Sequence, residues 1–310
     1  MKLFEEILHW FLNDSNLVVI SSQRLYLKLA EKLDLDKEIP LEKKLSRSEK
    51  ALFKRLCSYF SSQSFIGSHN QKITGYAYFS NQKKIKEISA ERIMQDLYPF
   101  GMLSHTSALL IHGYPIPIKQ KNTVMYTAVD RKTWQQNCID ELPTLNDRLL
   151  EKKLFKYENR RLWMHPYPQE TEILDKQVLL FSDKYLSDPV TVNSLRVQNL
   201  FDCLLKSTQK PQYYGGFSLV MELHKILINN NKIEYYIGFI EQKGALIDKA
   251  RIGFLLEKIL KFSHPLIIKW KSENEGKRGG SRKIISYLPY SEVYDAEWNI
   301  SLNSSIFHLT

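Results

Sequence analysis

The sequence predicts an α+β protein in two parts: a small helical module with a β-hairpin, then a larger mixed α/β domain. Two observations carry this. Between Lys2 and Phe60, apolar residues recur at helical spacing in three successive segments, and a polar, glycine-containing turn between two strand-like segments follows them. Beyond Pro99, helical and strand-like segments alternate, the pattern of a sheet covered by helices.

The elements follow in order. Lys2–Phe11 places Leu3, Ile7, Trp10 and Phe11 on one helix face. Ser21 or Ser22 caps a second helix through Leu33, with Leu25, Leu29 and Leu33 at every fourth position. An acidic, proline-containing link, Asp34–Pro40, separates it from a third. That helix opens with Ser46-Arg47-Ser48-Glu49, a capping box in which Ser46 and Glu49 satisfy each other's backbone amides. Leu52, Leu56 and Phe60 form its apolar stripe, while Arg47, Lys50 and Lys54 share a different face. A strand at Ser64–Ile66, a turn at Gly67–Lys72 and a strand at Ile73–Phe79 complete residues 1–82. Helix, helix, helix and β-wing is the winged helix-turn-helix plan, whose third helix enters the major groove. Residues 83–98 read as a linking helix, centred on Lys83–Leu97.

Residues 99–310 form the mixed α/β C-terminal domain. It begins with Pro99–Pro117, PFGMLSHTSALLIHGYPIP. Ser104 is placed to cap a short helix, Gly113 stands where a helix takes a left-handed residue, and Pro115 and Pro117 forbid continuation. So short a helix is marginal alone and must dock against a neighbour. A strand follows at Thr123–Val129, whereas Asp130–Lys156 carries no decisive pattern. Tyr157–Met164 and Gln177–Phe181 read as strands; Val197–Ser207, Gly216–Asn229 and Lys249–Phe262 read as helices. Ile284–Leu288 and Glu297–Leu302 read as closing strands.

Composition narrows the function. Lys and Arg number 44 against 34 Asp and Glu, a net charge of +10 that favours an anionic partner, nucleic acid above all. The three cysteines form no CxxC pair, which argues for a reducing compartment and against both a disulfide framework and a zinc site. Glu5 and Glu6 interrupt the first apolar run, so it does not read as a signal peptide, and no apolar stretch has the length of a membrane span. A cytoplasmic protein without cofactor or metal is expected. Basic residues concentrate twice, in Lys43–Arg55 and in Lys261–Lys283. The first gives the expected DNA contacts, Arg47, Lys50, Lys54 and Arg55, with His69, Gln71 and Lys72 at the wing tip.

Two constellations could be mistaken for catalytic sites. His105 and His112 lie two helical turns apart, about 10 Å by helix rise, too far to share an ion, and Ser104 and Ser107 lack the G-x-S-x-G elbow. Gly279-Gly280-Ser281 followed by Asp295-Ala296-Glu297 superficially matches a nucleotidyltransferase signature, a phosphate-gripping turn with two carboxylates for divalent metal. Such a site needs a further carboxylate downstream, and none follows Glu297. The chain is therefore expected not to be an enzyme.

The small helix and its strand resemble the AbiEi family, the antitoxins of bacterial type IV toxin–antitoxin (abortive infection) systems. Three further stretches resemble that family in the same order: Val197–Val220 (VQNLFDCLLKSTQKPQYYGGFSLV), Asp248–Leu260 (DKARIGFLLEKIL), and Gly279–Leu288 (GGSRKIISYL) with Trp298-Asn299-Ile300. The family usually carries Arg where Gln198 or Asn199 stands here, so no role transfers to that position. The resemblance implies an antitoxin that binds double-stranded DNA at inverted repeats of its own promoter, represses its operon, and counters a nucleotidyltransferase toxin encoded beside it. A stand-alone transcription regulator with the same domains is the alternative, and a metal-dependent nucleotidyltransferase using Asp295 and Glu297 a more distant one. Lys277, Arg278, Arg282 and Lys283 form a second basic patch, readable as a solvated hairpin tip or as a contact for DNA, RNA or toxin.

Overall fold

The computed structural model describes residues 2–35, 49–62, 72–73, 76–142, 163–276 and 282–307. The protein is α+β. Helix α1 (Lys2–His9) runs into one wider turn, Trp10–Asp14, where the Ser15 amide reaches back to Trp10 O at 2.8 Å. Strand β1 (Val19–Ser21) is buried throughout. Ser21 Oγ accepts the Arg24 amide at 3.1 Å and so caps α2 (Ser22–Leu35). Helix α3 (Glu49–Ser62), β2 (Lys72–Ile73) and β3 (Tyr76–Ser80) follow. The strands form a sheet in the order β1-β3-β2, with Ile20 opposite Phe79 and Ile73 opposite Tyr76. Ile7, Phe11, Ile20, Leu25, Leu29, Leu56, Phe60 and Phe79 make one apolar core, with the Phe60 ring 6.2 Å from Phe11 and 5.7 Å from Phe79.

Here the sequence reading needs two corrections. Strand β1 was not foreseen, because three residues buried together show no alternation. The run Ile73–Phe79, read as one strand, is two strands paired with each other, so Lys72 lies in a ladder opposite Ala77 and not in a turn. The Ser46–Ser48 opening and the Ser64–Ile66 strand lie outside the described residues.

The expected linking helix is two pieces: a 3-10 turn, Gln82–Glu87, and helix α4 (Ala90–Leu97), whose cap Ser89 accepts the Arg92 amide at 3.1 Å. Helix α4 buries Ile93, Met94 and Leu97, and with them Arg92 and Asp96. Asp96 Oδ2 accepts the amides of Val18 at 2.7 Å and Val19 at 3.2 Å and pairs with Arg92 Nε at 3.4 Å. Arg92 also donates to the carbonyls of Asn16 and Ser194. The segment is thus fastened to β1 rather than strung as a tether.

The larger sheet has the strand order β6-β7-β5-β4-β9-β8, in which β4 is Gly101–Leu103, β5 Thr123–Val129, β6 Glu172–Ile173, β7 Lys176–Asp183, β8 Val190–Val192 and β9 Leu195–Val197. Gly101 is required where β4 meets β5, since a Cβ there would lie 2.3 Å from Tyr126 Cε1. Helix α5 (His105–Ile111) follows β4 and α6 (Arg131–Asp140) follows β5. Gly113 has φ 81°, and the amides of Gly113 and Tyr114 return to Leu110 O and Leu109 O, a Schellman ending as expected. Ser104 does not cap α5; its hydroxyl bonds His105 Nδ1 at 2.9 Å. Docking of α5 uses Ser107, whose Oγ accepts the Met125 amide of β5 at 2.8 Å.

Helices α7 (Leu200–Gln209), α8 (Phe217–Asn229), α9 (Ile233–Lys243), α10 (Leu246–Phe254) and α11 (Pro265–Asn274) build most of the remainder. The α7 reading began early, for Val197 closes β9 and Asn199 caps the helix. The helix read to Phe262 ends sooner, in one wide turn at Leu255–Ile259. The strand expected at Ile284–Leu288 is absent. One bridge remains, in which Ile284 N donates to Ser301 O at 3.0 Å; beyond it Asn303 accepts from Ile285 N and donates to the carbonyls of Ile285, Leu288 and Pro289. Only Ile300–Ser301 of the last expected strand pairs, with Tyr294–Asp295. Contacts divide the chain into two units: Met1–Leu103, Tyr126–Leu186 and Asn193–Arg196 form one, and Ser104–Met125, Ser187–Val192 and Val197–Thr310 the other. The sequence boundaries at residues 82 and 98 both fall inside the first.

Two predictions follow from buried polar groups. Replacing Asp96 with Ala leaves the Arg92 guanidinium without its carboxylate and the Val18 and Val19 amides without their acceptor; urea unfolding is expected to show a loss of about 3–5 kcal/mol. In α8, His224 is wholly buried, its Nδ1 bonds Val220 O at 2.7 Å, and burial pulls its pKa from 6.5 down to about 4. The folded value lies below the unfolded one, so this contribution is complete above the unfolded pKa and is lost as the pH falls through that window. Acidification from neutrality to the folded pKa is expected to remove roughly 3 kcal/mol through this residue, and His224→Phe to abolish that part of the acid sensitivity.

Candidate nucleic-acid interface

Helix α3 has two unlike faces. Leu56 and Phe60 are buried in the core, with Leu52, Cys57 and Tyr59 packed partly against it. Ala51, Lys54, Arg55, Ser58, Ser61 and Ser62 are exposed. Their spacing, one turn after another, makes a single stripe with the two cations in the middle and small residues at either end. The serine hydroxyls turn back on the helix, Ser61 Oγ to Cys57 O at 2.9 Å and Ser62 Oγ to Tyr59 O at 2.8 Å. Among the described residues, the side chains that flank the two cations on this stripe are small.

The charges on α2 and α3 are used differently. Lys28 pairs with Glu31 at 2.7 Å and lies 4.6 Å from the centre of the Trp10 ring, and Lys32 approaches Glu6 at 3.9 Å. Lys54 and Arg55 form no ion pair among the described residues, so both are open to an outside anion.

Of the expected contacts, Lys54 and Arg55 are exposed on α3, and Lys50 belongs to the same helix. Lys72 lies in β2. Arg47, His69 and Gln71 lie outside the described residues. The reading missed Ala51, Ser58, Ser61 and Ser62; their recurrence opposite the apolar stripe was the available signal.

The second basic patch is less open than its sequence suggests. Lys277 and Arg278 lie outside the described residues. Lys283 is half-buried, and its ammonium donates to Leu288 O at 2.8 Å. Arg282 is also half-buried, and desolvation lowers its pKa. The two carboxylates singled out nearby have structural partners. Asp295 Oδ1 accepts the Trp298 amide at 2.8 Å. Glu297 pairs with Lys258 and Lys271, whose hydrogen bonds hold its pKa down to about 2.

His105 and His112 are held apart by Gln198. The His105 amide donates to Gln198 Oε1 at 3.2 Å, and His112 Nε2 lies 2.9 Å from Gln198 O. Gln198 Nε2 in turn donates to Asp202 at 2.6 Å. Among the described residues no group of three or more His, Cys, Asp or Glu side chains is arranged to hold a metal ion. Compared with family models, curated proteins and solved structures, the chain matches none.

The two faces of α3 are expected to respond differently to truncation. Lys54→Ala and Arg55→Ala should leave thermal unfolding within about 0.5 kcal/mol of the parent, whereas Phe60→Ala should cost about 3–5 kcal/mol.

Proposed function

We propose that the chain is a DNA-binding repressor of its own promoter, and that its C-terminal part counters a nucleotidyltransferase toxin encoded beside it. The arrangement of residues 2–80 carries the first half. Among the described residues its order is helix, strand, helix, helix, strand, strand, with the sheet order β1-β3-β2 and helix α3 bearing Lys54 and Arg55 outward. That order supports a winged helix, in which the third helix is the one that reads DNA. An α-helix with its side chains is about 10–12 Å across, matching a major groove about 12 Å wide. Small residues along the outward stripe suit close approach, with Lys54 and Arg55 meeting phosphates or base edges.

The toxin-countering half rests on the resemblance to AbiEi antitoxins in Pro99–Pro117, Val197–Val220, Asp248–Leu260, and Gly279–Leu288 with Trp298-Asn299-Ile300. At the family's usual Arg position this chain has Gln198 or Asn199; the Gln198 amide is spent on His105 and Asp202, while Asn199 caps α7. The reading therefore claims nothing for that position. A stand-alone repressor remains the alternative, and the neighbouring reading frame decides between them. If it encodes a nucleotidyltransferase whose toxicity this chain relieves on co-expression, the antitoxin reading holds; if co-expression relieves nothing, only the DNA-binding half is left.

A mobility-shift titration on the upstream region tests the DNA-binding half. The chain is expected to shift a duplex carrying inverted repeats. Lys54→Ala should weaken binding and lower the slope of log affinity against log salt by about one unit. An unchanged slope removes Lys54 from the interface, and no preference for the promoter over unrelated duplex removes the repressor.

A further inference from the structure

Ile118 is the most exposed large apolar side chain among the described residues, with 84% of its surface open. A lone exposed aliphatic needs no explanation; this one is presented by a pinned turn. It opens the 3-10 turn Ile118–Gln120, in which Gln120 N bonds Pro117 O at 2.9 Å and Lys121 N bonds Ile118 O at 3.1 Å. Pro117 fills the space that a side chain at Gly215 would occupy, since a Cβ there would lie 2.5 Å from Pro117 Cγ. Gly215, at φ 86°, ends a second 3-10 turn, Pro211–Tyr214. The Tyr213 of that turn is 37% exposed and stands edge-on to the His105 ring at 5.9 Å. Two short turns therefore seat on one another and present Ile118 and Tyr213.

The two segments that carry these turns bear charge of one sign. Lys119, Lys121 and Lys210 are exposed, and none of their ammonium groups meets a carboxylate among the described residues. No Asp or Glu occurs from Leu97 to Val129, nor from Cys203 to Met221. An apolar and aromatic centre ringed by charge is the anatomy of a protein interface, where a few well-placed anchors dominate. An aliphatic wedge in a duplex would have to offset a few kcal/mol of unstacking per base step, a cost that an apolar pocket on a protein does not impose.

We propose that the paired turns at residues 117–121 and 210–215 are a docking site for an acidic protein surface: an apolar pocket receives Ile118, and carboxylates around it meet Lys119, Lys121 and Lys210. The site is independent of the DNA-binding reading, and a failed promoter shift would leave it standing.

The test places photoreactive p-benzoylphenylalanine at position 118 of the full chain in the source bacterium, with the same group at exposed Lys225 as control. The expected result is an adduct with one protein, specific to position 118. Once purified, that protein binds the unmodified chain, more weakly as salt rises. Ile118→Asp should weaken the complex at least about thirtyfold, and Lys119→Glu with Lys121→Glu about tenfold, restored by reversing carboxylates on the partner; all variants should melt as the parent does. An adduct only with nucleic acid or with a second copy of this chain overturns the proposal. So does no adduct beyond the control, or a captured protein that binds the variants as tightly as the parent.

Discussion

Asp96 accepts hydrogen bonds from two consecutive amides, those of Val18 and Val19, where the chain enters β1. Among the described strands β1 pairs with β3 alone, and its side chains are buried, so amides that β3 does not take must find a partner inside the protein. A carboxylate from the distant helix α4 supplies it. Burying that group is costly: desolvation raises its pKa, against the pull of Arg92, the two amides and Arg24. Arg92 spreads the connection, reaching Asn16 and Ser194 as well as Asp96. The helical module and α4 consequently share one compact unit, in which Leu56 and Phe60 of α3 join the same apolar core as Ile20 of β1.

Charge is distributed by the same economy of partners. In the second unit, carboxylates gather cations: Glu241 accepts from Lys249, Lys269 and the Trp270 indole, and Glu257 from Lys271 and the Trp298 indole. These groups hold α9, α10 and α11 to each other and to the chain around Trp298. Net charge alone therefore says little about where an anion binds. Cations left without a carboxylate among the described residues include Lys54 and Arg55 on α3 and Lys119, Lys121 and Lys210 beside Ile118.

Legibility in the sequence followed the range of the interaction responsible. Local signals survived: Ser21 caps α2, Leu25 and Leu29 face the core, and Gly113 closes α5 in the left-handed conformation. Long-range ones did not. Nothing in the periodicity of Lys83–Leu97 tells that Asp96 satisfies amides 78 and 77 positions earlier, nor in Ile284–Leu288 that Asn303 takes the Ile285 amide. Ser104 met every local rule for a cap, yet a neighbouring imidazole took its hydroxyl. Helix α11 was missed although His264 caps it and Pro265 stands at its first position, because its apolar stripe is thin. Of the candidate site, the basic residues were legible, but the small residues that leave them approachable were not.

Hydrogen exchange of the full chain, measured with and without the promoter duplex, tests the central claim most directly. Added protection is expected to concentrate in Glu49–Ser62 and the β2–β3 hairpin, with the helices α7 to α11 unchanged. Protection confined to α7 to α11, with the α3 amides exchanging as in the free protein, would contradict the assignment of α3 as the DNA-reading element.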